Sequence, residues 1–353
     1  MKTERFLIFT WFRIGLCVAF CGFAIFLACM GQTLWYFYFG SGNAFVYNKG
    51  NLAVHFVDVG HGDCTIIQLP DGKIAIIDAG QGEYYHGRVN RYIRTRIKPK
   101  RNYIDYLINT HPHDDHLSGL LRITENYKYG QFLGTTEIPE LAADPKFKIV
   151  PDGYEILGTN YRIKFHAIDD TKSFTDNYGD NVNEYSPIIT LEYGAQVFVI
   201  TGDAGHYAER IFMEPGSTAA EIFGEANTLN RRAERLTTYL QVGHHGSRSS
   251  TGNPFLEFLN PKYAIIPSGE YSKKQYGHPH PEVTNNLNSY RDGQITTYNT
   301  RLDGHIVVRV DGNRVKFFFA FDNPPDLTFI WVFLILSSLL PLYIVVKKVF
   351  KNT

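Results

Sequence analysis

The feature that most constrains this chain is a run of six residues, His111-Pro112-His113-Asp114-Asp115-His116. Imidazole nitrogens and carboxylate oxygens are ligands that zinc, manganese and iron accept in proteins. The apolar run over 104–110 that precedes them predicts a buried strand, so the six residues would follow the carboxyl end of that strand. We interpret them as a metal site on a rigid base. An incidental histidine-rich surface loop is the alternative.

Length, charge and cysteine content bound the class of protein. The 353 residues suffice for one large domain or two ordinary ones, and the formal net charge of zero gives no bulk attraction to nucleic acid. Of the four cysteines, three lie in the apolar N-terminal segment and only Cys64 lies in the polar body. A single cysteine cannot close a disulfide within that body, which excludes a disulfide scaffold.

Both ends of the chain have the composition of membrane spans. No charged residue occurs over 14–48, and residues 327–346 are uncharged and interrupted only by Pro341, which membrane helices tolerate. Lysines and arginines flank each stretch on its terminal side. By the positive-inside rule, both termini are therefore expected in the cytoplasm, with the polar body outside it. A cleaved signal peptide is the competing interpretation of the N-terminus.

The expected organisation is a protein of the cell membrane with two spans. Residues 1–44 would form an N-terminal membrane anchor, and residues 45–325 the extracytoplasmic body. Residues 326–353 would form a C-terminal transmembrane helix and a cytoplasmic tail.

Short strand-like runs dominate the body, with helical patterns interspersed. The predicted strands cover 53–59, 65–69, 74–78, 104–110, 161–168, 188–193, 197–201, 239–242, 263–267, 295–297, 305–310 and 315–320. The predicted helices cover 87–97, 117–125, 205–212, 221–238 and 281–290. This order predicts an α/β protein, an αββα sandwich in which two sheets pack together with helices outside. Residues 170–186, rich in Asp, Asn, Gly and Ser, predict a long loop between the sheets.

Further stretches place aspartate or histidine beside glycine where a predicted strand ends. They are 57–64 with His61 and Asp63, 76–80 with Asp78, 200–204 with Asp203, 242–247 with His244 and His245, and 276–281 with His278 and His280. Glycine lets the backbone approach a ligand closely. Because such stretches recur in order along the body, we expect them to form one constellation with the six residues.

At these motifs the chain resembles the metallo-β-lactamase superfamily, and within it the extracytoplasmic metallohydrolase domain of the ComEC family of DNA-uptake competence proteins. The matching signatures are Asp-Val-Gly-x-Gly-Asp, Ile-Asp-x-Gly, Thr-His-x-His-x-Asp-His-x-x-Gly, Thr-Gly-Asp, His-His-Gly-Ser and Tyr-Gly-His-Pro, from residue 57 to residue 280. The resemblance implies the metallo-β-lactamase fold and two divalent ions, zinc or manganese. Two spans cannot make the multi-helix channel of complete competence proteins, so DNA translocation would need a separate channel or partner protein.

Carried over by position, the resemblance supplies ligands for both ions. They would be His111 and His113 for the first ion, Asp115 and His116 for the second, and Asp203 bridging the two. His244 or His245 would complete the second site, and the sequence does not choose between adjacent histidines. Asp78, Asp63 and His61 would contact the ligands rather than the ions, and Asp78 would hold a ligand imidazole in orientation.

The chain also departs from the superfamily pattern. Most members supply a further histidine between the six-residue motif and the bridging aspartate, where this chain has only His166, in the middle of a predicted strand. We expect His166 to be packed in the strand, with water or another group completing the first metal site. His61 replaces the usual glutamine and Cys64 the usual alanine, and we expect Cys64 to be a small buried residue.

Catalytic roles follow from the expected pair of ions. Two cations about 3.5–4 Å apart activate water for attack on phosphorus or a carbonyl. Asp115 or Asp114 could orient that water or carry its proton, with Asp115 better placed as a ligand. His278 and His280 could bind a phosphoryl oxygen or protonate the leaving group; a structural Pro-His turn is the alternative. Ser247 could donate to phosphate, or act as an ordinary helix cap.

One basic segment follows the Asp78 motif. Its residues are Arg88, Arg91, Arg94, Arg96, Lys98, Lys100 and Arg101. Arg88, Arg91 and Arg94 share a helical face, which predicts contact with a polyanion backbone. A solvated helix, or one lying against anionic lipid, is the alternative. Nothing resembles a base-reading motif, so we expect any binding of nucleic acid to lack sequence specificity.

The leading hypothesis is a membrane-anchored, metal-dependent phosphodiesterase or nuclease that acts on DNA outside the cytoplasm. A second hypothesis keeps the metal site but assigns a lipid, choline-phosphate or cell-wall substrate, which a tether at the bilayer would favour. A third is a non-catalytic domain that binds DNA or a partner protein, motivated by the missing histidine. The intact six-residue motif and Asp203 argue against the third.

Overall fold

The computed structural model describes residues 49–169, 182–224, 236–312 and 314–320, together with the isolated positions Gly15, Gly22 and Phe23. Apart from those three isolated positions, the two predicted membrane spans lie outside the residues described. Among the described residues, no helix has the length and apolar character needed to cross a bilayer. Tyr47–Ala320 form one compact unit.

The strands of this unit are short and are numbered in chain order. They are β1 (Leu52–Phe56), β2 (Thr65–Gln68), β3 (Ile74–Ile77), β4 (Tyr103–Ile108), β5 (Lys128–Gly134), β6 (Phe147–Ile149), β7 (Glu155–Leu157), β8 (Arg162–His166), β9 (Ile188–Tyr193), β10 (Gln196–Ile200), β11 (Thr237–Gln241), β12 (Tyr263–Ile266), β13 (Thr296–Asn299), β14 (His305–Asp311) and β15 (Arg314–Ala320).

The α-helices of the described residues are numbered in the same way. They are α1 (Gly82–Tyr92), α2 (Asp114–Asn126), α3 (His206–Met213), α4 (Ala220–Phe223), α5 (Asn253–Leu259), α6 (Glu270–Tyr276), α7 (Pro281–Ser289) and α8 (Thr300–Asp303). A wider, π-helical turn over Ile93–Ile97 continues α1.

The strands form two sheets. Sheet A has eight strands in the order β15-β14-β1-β2-β3-β4-β5-β6, and sheet B has seven in the order β13-β12-β11-β10-β9-β8-β7. In sheet A, the strands from β3 to β6 are parallel and the other neighbours antiparallel. In sheet B, the strands from β10 to β13 are parallel and those from β7 to β10 antiparallel. Each sheet therefore has a parallel half, in which successive strands end at the same edge.

Alternation along the strands explains how the sheets pack. Leu52, Val54 and Phe56 of β1 join a buried cluster that includes Phe165 and Phe198 of sheet B. Successive side chains of a strand point to opposite faces, so these alternate residues of β1 face sheet B. The outer face of sheet A carries His55, whose Nδ1 lies 2.9 Å from the Tyr92 hydroxyl of α1.

A second apolar cluster covers the outer face of sheet B. It joins Val199 and Leu240 of the sheet to Phe212 of α3, Phe223 of α4 and Phe255 of α5. With α1 on the outer face of sheet A, the layers run helix, sheet, sheet, helix. The αββα sandwich predicted from the sequence is confirmed.

Several details of the predicted elements are wrong. Of the predicted helix over 221–238, residues 221–223 are helical in α4, and the middle, 225–235, lies outside the described residues. Its end belongs instead to β11, where the β-branched Thr237 and Thr238 favour a strand. The loop over 170–186 joins β8 to β9, which pair antiparallel in sheet B, so it does not connect the two sheets. Strands β5, β6 and β7 and helices α5, α6 and α8 were not predicted.

Candidate metal centre

Parallel strands bring the predicted ligands to one edge of the sandwich. In sheet A, Asp78 follows β3 and His111 follows the neighbouring parallel strand β4. In sheet B, Asp203 follows β10 and His244 follows its parallel neighbour β11. Ligand sites of open α/β sheets form at the carboxyl ends of strands, and here both sheets contribute.

Asp78 connects the loop after β4 to helix α2. Its Oδ1 accepts the Thr110 backbone N–H at 2.9 Å, and its Oδ2 accepts the Thr110 hydroxyl at 2.7 Å. The same Oδ2 lies 2.8 Å from Nδ1 of His116, the third residue of α2. With Nδ1 held by a carboxylate, Nε2 of His116 is the ring atom available as a ligand.

Asp63 holds His245 in a similar way. Nδ1 of His245 lies 2.9 Å from Asp63 Oδ1 and 3.0 Å from the Pro267 carbonyl oxygen. The other oxygen of Asp63 accepts a hydrogen bond from the side-chain amide of Gln241, which in turn accepts from Thr65 at 2.9 Å. Nε2 of His245 then lies 3.2 Å from Asp115 Oδ2.

The adjacent histidines diverge because of their backbone conformation. His244 and His245 both have left-handed φ, of 48° and 54°. The His245 ring is buried against Asp115, whereas Nε2 of His244 lies 3.6 Å from Asp203 Oδ2. Ser249 hydroxyl lies 3.3 Å from the other nitrogen of His244. The two rings therefore reach different parts of the cluster.

Asp203 lies at the centre of the cluster and is shared between two sets of histidines. Its Oδ1 lies 3.2 Å from Nε2 of His116 and 3.6 Å from Nε2 of His245. Its Oδ2 lies 3.7 Å from Nε2 of His111 and 3.6 Å from Nε2 of His244. A carboxylate with a different histidine pair at each oxygen has the arrangement expected of a bridging ligand.

Buried atoms without hydrogen-bond partners test whether these residues fit metal ions. His116 Nε2 and Asp203 Oδ1 are buried and make no hydrogen bond among the described residues, although the two atoms are only 3.2 Å apart. Such orphaned groups are costly unless something binds them. Their lone pairs converge without pairing, which fits a cation and not a packed polar core.

The close groups of ligand atoms agree with this fit. Within 4.8 Å of one another lie His111, His116 and Asp203, and likewise Asp115, His116 and His245. Asp63 forms two further groups, one with Asp78 and His116 and one with Asp203 and His245. His113 and His244 fall outside these groups, although Nδ1 of His113 lies 2.9 Å from Nε2 of His111.

The electrostatics of the cluster also call for positive charge. Burial raises the pKa of Asp203, but His244, His116 and His245 together hold that pKa well below its usual range. Burial lowers the pKa of His116, yet Asp203, Asp115 and Asp78 raise it well above its usual range. Asp203 thus stays ionised and favours a proton on the His116 imidazole, and a metal ion would displace that proton.

Two further predicted residues lie beside the cluster. His61 is buried, with Nε2 3.5 Å from Asp115 Oδ2 and Nδ1 3.0 Å from the Ser272 hydroxyl. His278 is also buried, with its ring centroid 5.5 Å from that of His244 and its Nδ1 lacking a hydrogen-bond partner among the described residues. Burial lowers the pKa of His278 to about 3, so its ring is neutral.

His280 and Ser247 contribute mainly to the local backbone. Nδ1 of His280 accepts the backbone N–H of Arg248 at 3.1 Å, and its ring centroid lies 4.8 Å from that of His278. Ser247 is buried, and its hydroxyl accepts a hydrogen bond from the Ser249 hydroxyl at 3.0 Å. For His280 these contacts resemble the structural turn that was the alternative interpretation.

The remaining predicted site residues lie at the surface. Asp114 and His113 are exposed at the start of α2. Arg88 pairs with Asp58 at 3.3 Å, whereas Arg91 and Arg94 are exposed along α1 and the turn that follows it.

His166 lies within β8 and is fully buried. Its ring nitrogens lie 2.7 Å from the Thr218 hydroxyl and 2.9 Å from the Thr190 hydroxyl. Both nitrogens are thus engaged by hydroxyl groups, in agreement with the packed role expected from the sequence.

The sequence interpretation assigned no role to the two tyrosines around His61, although Tyr276 belongs to the Tyr-Gly-His-Pro signature. Tyr271 and Tyr276 of α6 lie with their ring centroids 4.5 Å and 6.2 Å from that of His61. Gln241, Ser249 and Ser272 also support site residues. The available signal was the Tyr-Ser-Lys-Lys-Gln-Tyr run directly before the Gly-His-Pro motif, with an aromatic residue at each end.

Comparison with known proteins places this geometry in context. Over 299 residues the chain is 27% identical to "ComE operon protein 3" of Bacillus subtilis, covering 77% of the chain and 34% of that protein. Over 305 residues it is 26% identical to "Recombination protein 2" of Haemophilus influenzae, covering 84% of the chain and 32% of that protein. The chain thus spans about a third of the length of these curated relatives.

Among solved structures, the diiron β-hydroxylase CmlA of Streptomyces venezuelae aligns with a TM-score of 0.44 and 16% identity, over 75% of this chain and 55% of that one. The model of the metallo-beta-lactamase superfamily matches residues 57–270, well over half of the 353-residue chain. The resemblance to competence proteins drawn from the motifs is confirmed by the relatives, which include "Competence protein ComA" of Neisseria gonorrhoeae. The chain belongs to the metallo-beta-lactamase superfamily of metal-dependent hydrolases.

Proposed function

We propose that the chain is a membrane-anchored, metal-dependent phosphodiesterase that cleaves DNA outside the cytoplasm. The observation that carries the proposal is Asp203, which presents one oxygen to His116 and His245 and the other to His111 and His244. A bridging carboxylate flanked by two sets of imidazoles is the ligand set of a two-metal hydrolytic site. The tether and the extracytoplasmic location rest on the composition of the two ends.

The residues assigned to each ion follow from the contacts. Asp115, His116 and His245 would hold the second ion, because their ligand atoms lie within 4.8 Å of one another. His111 and His113 would hold the first ion, and His244 would complete it in place of the missing superfamily histidine. Two divalent ions, zinc or manganese, would supply an activated water and neutralise charge on a phosphodiester.

The chain's own residues support substrate at this centre. His278 is neutral, because burial lowers its pKa to about 3, and it lies beside His244. A neutral imidazole can donate one hydrogen bond to a phosphoryl oxygen without adding a charge. Asp63 and Asp78 fix the ligand rings, which keeps the site ordered before substrate binds.

DNA is the proposed substrate for two reasons. The relatives carry the names of competence and recombination proteins. The exposed Arg91 and Arg94 offer sequence-independent contacts to phosphates.

The test is hydrolysis of single- and double-stranded DNA by the purified full chain, loaded with Mn²⁺ or Zn²⁺, with Asp203→Ala as control. Metal-dependent cleavage that Asp203→Ala abolishes is the expected result. If two ions bind but neither DNA is cleaved, the nuclease proposal fails. Lipid, choline-phosphate and cell-wall phosphodiesters then become the substrates to assay. DNA binding without turnover of any substrate would instead support a non-catalytic domain.

A further inference from the structure

We propose that Tyr271 and Tyr276 of α6 form a stacking surface for the bases of single-stranded DNA beside the metal centre. This inference rests on the proposed function, because it names the form of nucleic acid that the site would take. We call these two residues the tyrosine pair.

The tyrosine pair is exposed although it adjoins a buried cluster. Tyr271 is 41% exposed and Tyr276 is 51% exposed. Their ring centroids lie 6.3 Å apart at an interplanar angle of 67°, so the two ring faces point in different directions. Tyr276 stacks on His278 with a centroid distance of 5.7 Å and an interplanar angle of 30°. Exposed apolar side chains that lie next to one another, unlike scattered ones, often mark a binding surface. Two neighbouring exposed rings beside the metal-ligand cluster therefore suit a ligand with planar groups.

His61 connects the tyrosine pair to the metal ligands. Its ring centroid lies 4.5 Å from that of Tyr271, and its Nε2 lies 3.5 Å from Asp115 Oδ2. A base stacked on the tyrosine pair would therefore lie beside the side chains that are proposed to hold the second ion.

The surface is held in place by the backbone beneath it. Ser272, between the two tyrosines, is fully buried, and its hydroxyl lies 3.0 Å from Nδ1 of His61. A Cβ at Gly269, just before α6, would lie 1.6 Å from the Gly60 carbonyl oxygen, so the two loops are in close backbone contact. Such support keeps binding residues ordered without a bound ligand.

The charge on α6 favours a nucleic-acid strand over other ligands with a flat or cationic group. Lys273 and Lys274 lie between the tyrosines and are both exposed. Aromatic rings alternating with basic side chains are the usual surface for single strands, where bases stack and cations contact phosphates. A choline group would also favour tyrosine rings, but the two ammonium groups would repel its quaternary ammonium. In duplex DNA the bases are already stacked on each other, so the tyrosine pair would favour single strands.

The proposal can be tested by binding alone, without turnover. The purified full chain, with a chelator present so that no strand is cut, is titrated into fluorescently labelled oligothymidylate and into an abasic strand of equal length. Both strands carry the same phosphates, but only one carries bases. We expect the wild-type chain to bind oligothymidylate roughly tenfold more tightly than the abasic strand, a ratio typical of base stacking on aromatic side chains.

Variants assign the preference to the tyrosine pair. Tyr271→Ala with Tyr276→Ala should remove the preference and leave binding of the abasic strand nearly unchanged. Tyr271→Phe with Tyr276→Phe should keep it, because the rings remain. Tyr103→Ala is the matched control: Tyr103 is 40% exposed but begins β4, at the opposite end of that strand from the His111 loop.

Equal affinity of the wild-type chain for the two strands would overturn the proposal, and this comparison does not depend on any variant folding. Displacement of oligothymidylate by phosphocholine from the wild-type chain, but not from the Tyr271→Ala, Tyr276→Ala variant, would also overturn the proposal. It would indicate a choline-binding site instead. Failure of DNA cleavage, in contrast, would leave the base preference measurable. The two proposals can therefore fail separately.

Discussion

Asp78 Oδ2 lies 2.8 Å from Nδ1 of His116, and this contact joins the loop after β3 to the helix that follows β4. It fixes the tautomer of His116 and directs Nε2 toward Asp203. The same carboxylate accepts two hydrogen bonds from Thr110, so the imidazole and the backbone beside His111 are positioned by one side chain.

Replacing this carboxylate should weaken metal binding more than folding. We expect Asp78→Asn to lower metal affinity by about 10- to 100-fold, because the amide cannot orient the imidazole as a carboxylate does. Asp105→Asn is the control, since Asp105 accepts the Ile74 N–H at 2.9 Å on the same pair of strands but away from the cluster. Titration of both variants with Mn²⁺ would check this. Equal loss of affinity in both would contradict it.

The separate directions of His244 and His245 predict separate losses of metal. We expect His245→Ala to lose the second ion and His244→Ala to lose the first, each lowering the stoichiometry from two toward one. Combining each change with Asp115→Ala distinguishes the two sites. The double variant Asp115→Ala with His245→Ala should still bind one ion, because both changes affect the second site. The double variant Asp115→Ala with His244→Ala should bind none, because each site has lost a ligand. Equilibrium dialysis with metal analysis would measure this, and two ions retained by His244→Ala would exclude it from the first site.

Gly62 should be intolerant of any side chain because of its neighbour as well as its conformation. Its φ is +92°, and a Cβ there would lie 1.7 Å from the Asp115 carbonyl oxygen. Gly72 has a φ of +93° with nothing within 4 Å, so it isolates the conformational cost. We expect Gly72→Ala to lower the free energy of unfolding by about 1–2 kcal/mol, and Gly62→Ala by a further 1–3 kcal/mol or so. Urea denaturation would compare them, and similar losses would argue against the close contact.

The buried, neutral His166 should make folding sensitive to acid. Burial, followed by Lys164 and Arg162, lowers its pKa from 6.5 to about 3. The neutral ring therefore stabilises the folded state fully above pH 6.5, and that contribution is lost as the pH falls toward 3. His166→Gln should reduce the pH dependence of the free energy of unfolding by about 1.4 kcal/mol per pH unit within this window. Denaturation with chelator at several pH values would measure it. Identical slopes of the free energy of unfolding against pH in the wild-type chain and the variant would contradict the packed role. Loss of a metal ion from the variant, measured without chelator, would also contradict it.

The basic segment should govern the salt dependence of DNA binding. We expect Arg91→Glu with Arg94→Glu to weaken binding of all sequences alike and to reduce the slope of log affinity against log salt by about two, one for each lost phosphate contact. Lys262→Glu, an exposed change at the start of β12 in sheet B, should leave the slope unchanged. An unaltered slope in the arginine variant would indicate a solvated helix.

Much of the candidate site could be predicted because its residues follow strands. Asp78, His111 and Asp203 each come directly after an apolar run, and a parallel sheet places such positions at one edge. That inference uses only the place where a strand ends.

What could not be predicted depends on backbone conformation and on contacts between distant elements. The choice between His244 and His245 follows from two successive left-handed residues, a conformation that histidine rarely adopts and that no local pattern indicates. The tyrosine pair was not given a role because α6 has only seven residues, too few to show a helical pattern. Its place beside the site depends on contact with His61, which is distant in sequence. Strands β5 and β6 were missed because Lys128, Gly130 and Lys148 break their apolar pattern.

The division of the metal ligands between the two sheets has a consequence for folding kinetics. His116 is placed by sheet A, whereas Asp203 and His245 are placed by sheet B, so the cluster is complete only after the sheets have docked. Interactions that form after the transition state slow unfolding and leave the folding rate nearly unchanged. A bound pair of ions would therefore slow the unfolding of the completed sandwich and leave its folding rate nearly unchanged.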